Sequence, residues 1–141
     1  MAAKLKGLIR VVKATVDDRQ RALARLLRQV DDLVGQRLRI EQDLAREQTI
    51  AAEGQDGEGI HFTCYAASAI ARCRQLQEAA AAVEADIDAE REALGEAYRH
   101  LRALELAEES RERRHVEARA RRERDELDEL GLQRHQRAAL P

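Results

Sequence analysis

Apolar residues recur along the first third of the chain at alternating steps of four and three: Leu5, Ile9, Val12, Val16, Leu23, Leu26, Val30, Leu33, Ile40 and Leu44. Arg19 and Arg37 occupy the two positions where the series is interrupted. A mean step of about 3.5 residues holds such a stripe on one face of an α-helix, and a stripe that narrow calls for a partner helix. No proline occurs before Pro141, so nothing forces a kink. Gly7 and Gly35 each cost about 1 kcal/mol relative to alanine, which a long helix tolerates. The pattern predicts a first helix over about residues 3–53. On its outer face Asp17 and Arg21 are spaced for an i,i+4 ion pair.

The run Glu53-Gly54-Gln55-Asp56-Gly57-Glu58-Gly59 breaks the pattern, and its three glycines and Asp-Gly step predict a turn at about residues 54–60. The loop is acidic and lacks the Gly-Lys-Ser/Thr ending of a phosphate-cradling site. A second stripe follows: Ala66, Ala69, Cys73, Leu76, Ala80, Val83, Ile87, Leu94, Ala97, Leu101 and Leu104, with Glu90 as its one polar member. It predicts a second helix over about residues 61–136. Large residues on one stripe oppose small ones on the other, which lets two helices approach closely. Two matched stripes joined by a short turn make an antiparallel hairpin. The expected fold is therefore all-α: one domain over residues 1–141, a long antiparallel two-helix coiled-coil hairpin with a longer, overhanging C-terminal helix.

At equal rise on both arms, residue i faces roughly residue 114 − i, which sets Arg19 near Gly95. The first arm extends about 75 Å and the second more than about 100 Å, so the segment after about Ser110 has no partner in its own chain. There the stripe fades into Glu108, Arg111 and His115, and a sparser, shifted one begins: Val116, Ala120, Glu123, Leu127, Leu130. Arg19 and Arg37 either pack their stems and extend their heads to water, or pair with acids across the seam and fix its register.

Composition agrees with this layout. Charged residues make up 37% of the chain and aromatics 2%, too few rings and too many charges for a globular core. Disordered chains share that charge density but lack a sustained apolar stripe. Net charge is −2, so the total does not favour nucleic acid or membrane. Its distribution is uneven: Lys4 to Lys13 is basic, as is the arginine-dense stretch 111–124, while acids dominate in Glu41 to Glu58 and Glu78 to Glu96. The two cysteines, Cys64 and Cys73, are nine positions apart. On one helix that separates them by roughly 13 Å, too far to bridge, and free thiols fit a reducing, cytoplasmic compartment. No apolar run nears the ~18 residues of a membrane span.

Catalysis is not expected. A two-helix rod offers no concave site with convergent polar groups. His61, Cys64 and Cys73 match no zinc spacing, and Asp86 and Asp88 do not share a helix face. No cofactor and no metal are expected. The arginine stretch could neutralise phosphates as a nucleic-acid-associated rod or generic scaffold. Glu112, Glu117 and Glu123 interleave with it, four acids follow at once, and no aromatic is present for stacking, so a protein-docking surface is favoured.

The closing run from Arg121 to Arg134, with Leu127-Asp128-Glu129-Leu130 at its centre, resembles the end of the FliJ family, small coiled-coil proteins of flagellar type III export. Length, the basic start and the two-arm layout agree with the likeness. The resemblance implies a non-enzymatic stalk like that of rotary ATPases, cytoplasmic and peripheral to the inner-membrane export apparatus. Its implied partners are a hexameric export ATPase, the export gate protein and export chaperones. Independently of the resemblance, the chain is expected to be a monomeric hairpin, with pairing of the arms between chains as the alternative. The residues expected to bind the implied partners are Arg114, Arg119, Arg122, Asp125, Leu127, Asp128, Leu130 and Arg134.

Overall fold

A computed structural model describes residues 2–54 and 58–140. Two helices account for nearly all of them, α1 (Ala2–Glu53) and α2 (Glu58–Ala139), and they pack against each other with no strand among the described residues. The fold is the all-α hairpin that the two stripes require. The expected turn includes Asp56 and Gly57, which lie outside the described residues. α2 begins at Glu58, earlier than the glycines suggest, and takes Gly59 into its first turn. There the Thr63 hydroxyl donates to the Gly59 carbonyl at 2.9 Å.

Contacts fall into two compact units, Thr15–Ala97 and the pair of segments Met1–Ala14 with Tyr98–Pro141. In the first unit, Val16 of α1 and Ala69, Leu76, Val83 and Ile87 of α2 form the buried core. Leu23, Leu26, Val30, Leu33, Ile40 and Leu44 are half-buried, as are Ala66, Cys73, Ala80, Leu94 and Ala97. These are the stripe positions, and their burial follows from the period: each pair of steps turns the helix almost two full turns and returns the next side chain to the seam. Leu76 is the most deeply covered residue, at 3% exposure.

The polar interruptions behave differently from one another. Arg19 crosses the seam to Glu90, with Nη1 at 3.2 Å from Oε2 and 3.4 Å from Oε1. Of the two roles open to Arg19, the structure shows pairing with an acid across the seam. Each helix thus supplies one polar seam residue to the same ion pair, a device that opposes slippage of one stripe along the other. Arg37 instead stays on its own helix, its Nε 3.6 Å from Glu41 Oε1. That buried Nε has no hydrogen-bond partner. Arg21 pairs with Asp18 at 3.9 Å rather than with Asp17, since i+3 and i+4 neighbours are both within reach on a helix surface.

In the second unit Val12 is buried and Leu5, Ile9, Leu101 and Leu104 are half-buried. The seam then passes into a polar pair. Arg111 donates from Nε to Glu108 Oε2 at 3.1 Å and from Nη2 to Oε1 at 3.0 Å, the forked geometry that a guanidinium and a carboxylate share. Those hydrogen bonds hold the Glu108 carboxyl below its usual value, helped by the charges of Arg111 and of Lys6 on α1 and opposed by partial loss of hydration. Glu108 in turn raises the already high value of Arg111. Lys6 and Glu108 are neighbours at the register expected from equal rise. This pair occupies the positions where apolar residues stop, so the last covered turn is closed by charge rather than by burial.

Candidate functional site

Coverage of α2 ends soon after Arg111. Ala118 is half-buried, and from Arg119 to Leu140 every residue is exposed. The helix continues to Ala139 nonetheless. It is built from arginine, glutamate, alanine and leucine, which carry little intrinsic penalty in a helix. Arg114 and Arg124 donate from Nε to the carbonyls of Ser110 and Ala120, four residues back, both at 3.4 Å. A lone helical segment is marginal in water, and an apolar stripe on it gains from being covered.

All eight residues expected to bind partners lie on this part of α2, and all eight are exposed. They do not share one face. At about 100° per residue, Leu127, Leu130 and Arg134 align with Val116, Ala120 and Glu123 in one stripe, with Arg119 on its flank. Arg114, Arg122, Asp125 and Asp128 point away from that stripe. Exposure reaches 66% at Leu127 and 55% at both Leu130 and Val116, although these are the stripe's large apolar members. Val116 also borders a groove with Lys6, Glu108, Glu109, Glu112 and Arg113, where the covered and uncovered parts of the segment meet. Leu132, 63% exposed, is a further apolar residue in this region that the periodicity misses, because it lies off the stripe.

A second feature, in the unit Thr15–Ala97, was not singled out by motif. Glu47, Ile50 and Ala51 of α1 and His61, Phe62 and Tyr65 of α2 line a groove beside the bend. The signal for it is compositional, since two of the three aromatic residues of the chain fall within it. Both cysteines are free thiols: Cys64 is exposed and Cys73 sits half-buried in the seam. Among the described residues no three His, Cys, Asp or Glu side chains come together to hold a metal ion. No described helix is long and apolar enough to cross a membrane.

Compared with protein-family models, with curated proteins and with solved structures, the chain matches none.

What the surface offers chemically is an extended helix with a narrow apolar stripe, flanked by alternating blocks of arginine and carboxylate. That arrangement can recognise another helix.

Proposed function

We propose that this chain is a non-enzymatic coiled-coil adaptor, with the paired helices as scaffold and the segment beyond Arg111 as the docking element. The observation that carries the reading is the unbroken exposure from Arg119 to Leu140 on a helix that still displays Leu127 and Leu130 in register with Val116. A helix of that kind gains stability when a partner covers it, and it can touch several protein subunits without chemistry of its own.

The finer reading is a stalk of a type III export machine, similar to the FliJ family. On it, the tail residues Arg114, Arg119, Arg122, Asp125, Leu127, Asp128, Leu130 and Arg134 contact a hexameric export ATPase and, through the same adaptor, the export gate and chaperones in the cytoplasm. The supporting feature is the acidic-apolar run Leu127-Asp128-Glu129-Leu130 followed by Arg134 on an accessible helix. Adding the protein to a hexameric type III export ATPase is expected to raise its turnover and hexamer content. Removal of residues 111–141 should abolish that effect while the helicity of the remaining pair persists. Unchanged turnover with the intact chain contradicts the stalk reading. Salt-dependent binding to DNA that is lost when Arg119, Arg121 and Arg122 are changed to Glu would replace it with a nucleic-acid-associated rod.

A further inference from the structure

The exposed tail is self-complementary in charge as well as in shape. Its stripe steps four, three, four, three through Val116, Ala120, Glu123, Leu127 and Leu130. The step of four leads into Ala120 and Leu127, which makes these equivalent seam positions, with Val116, Glu123 and Leu130 as the alternate set. Arg119 and Glu126 therefore flank the seam on one side, and Glu117 and Arg124 flank it on the other. Flanking residues of this kind set partner choice and orientation in coiled coils.

Two copies running in opposite directions place each flank against the same flank of the other copy. Val116 then packs on Leu127 and Ala120 on Glu123, whose carboxylate needs the space a small neighbour leaves. In that register Arg119 meets Glu126 and Glu117 meets Arg124, and the twofold symmetry repeats both contacts. Every flanking pair is attractive. Two copies running in the same direction bring Arg119 against Arg124 and Glu112 against Glu117, so both flanking pairs repel.

The broader distribution agrees. Residues 113–121 carry four arginines and one glutamate, whereas residues 122–130 carry five carboxylates and two arginines. Only the antiparallel arrangement sets the first block opposite the second. Of the residues involved, Arg119, Glu123, Arg124, Glu126, Leu127 and Leu130 are all exposed. The stripe also begins one residue on from His115, about 100° around the helix from the seam that α1 covers.

We infer that residues 113–130 of α2 form an antiparallel coiled-coil interface with the same segment of a second copy of this chain. Self-pairing does not depend on the identity of any larger partner. It shields the apolar stripe when no other helix covers it, and any partner that uses the same face competes with it.

Sedimentation equilibrium of the full chain over a wide dilution series tests this. The apparent mass is expected to rise reversibly from the 15.9 kDa of one chain toward twice that value, with weaker association as salt increases. Arg119→Glu alone and Glu126→Arg alone each turn two attractive contacts into repulsive ones, and each should weaken association about tenfold. An equal mixture of the two variants restores attraction at both contacts and should associate about as tightly as the parent chain. Both positions are exposed, so helicity measured by circular dichroism should be unchanged. The orientation is read from the same data, because in a parallel pair Arg119→Glu removes an Arg–Arg repulsion and strengthens association. A chain that remains monomeric throughout the series overturns the inference. So does an Arg119→Glu variant that associates as tightly as, or more tightly than, the parent.

Discussion

Changing Ile87 to aspartate should destabilise the Thr15–Ala97 unit by about 4 kcal/mol or more, enough to separate its helices under mild conditions. Ile87 is 5% exposed and shares a groove with Leu27 and Val30 of α1 and with Glu84, Asp88 and Arg91 of its own helix. Three costs add in the substituted chain. The apolar side chain no longer fills its place. A carboxylate must be desolvated or protonated there. Glu84 and Asp88 repel it as near neighbours, and Arg91 relieves that only in part. Urea unfolding followed by circular dichroism measures the effect. Ile87→Val, which removes one methylene and adds no charge, should cost only about 0.5–1.5 kcal/mol. Asp88→Ala, on the exposed side of the same turn, should fall within about 0.5 kcal/mol of the parent. An Ile87→Asp chain as stable as the Asp88→Ala chain would mean that this face of α2 is not a core.

The next largest loss is expected at Leu76. It is 3% exposed, the most enclosed side chain of the seam, and it lies between Cys73 and Ala80, both small. On the alanine-rich helix, Leu76, Val83 and Ile87 supply the buried bulk, so the neighbours of Leu76 have little to collapse with. Leu76→Ala removes apolar area and leaves a cavity that relaxes only partly, at a cost of about 2–4 kcal/mol. Leu76→Met keeps nearly the same volume and should cost less than about 1.5 kcal/mol. The midpoint of urea unfolding separates the two. Equal midpoints for the alanine and methionine variants would show that packing at this position contributes little.

The seam was legible in the sequence because one physical constraint generates it. A helix that pairs with another along its length must repeat its apolar residues every 3.5 positions, and such a repeat is visible without knowing the partner. Every apolar member of both stripes, from Leu5 to Leu44 and from Ala66 to Leu104, is buried or half-buried. The polar details were less legible, because side-chain reach matters more than backbone rise. Arg19 reaches across the seam to Glu90, whereas Arg37 keeps to Glu41 on its own helix. The forked pair of Glu108 with Arg111 falls where the apolar pattern simply stops, so periodicity alone gives no sign of it. The start of α2 was displaced for a related reason. A glycine costs about 1 kcal/mol in a helix, a sum that favourable propagation into the following turns readily offsets.

The uncovered end of α2 was legible in its position and only partly in the arrangement of its faces. The eight residues expected to bind partners do fall on the uncovered part of α2, yet four of them, Arg114, Arg122, Asp125 and Asp128, point away from the stripe that holds Leu127 and Leu130. A motif quoted as a run of consecutive residues wraps around a helix and mixes its faces. Sorting the run by angle separates a seam, with Val116, Ala120, Glu123, Leu127 and Leu130, from the solvated remainder. The groove beside the bend has no periodic signal at all. It arises where the two helices come together around His61, Phe62 and Tyr65.

If the two stripes pair within one chain, residues on opposite sides of the seam lie at a short, fixed distance. Spin labels at Leu27→Cys and Asp88→Cys, in a background with Cys64→Ser and Cys73→Ala, report the separation of two residues that line the same groove. Helices packed at about 8–10 Å between axes should give a single narrow distance below about 25 Å, unchanged when labelled protein is diluted into unlabelled protein. A broad, long distance, or a short one that disappears on dilution, would contradict an intramolecular hairpin.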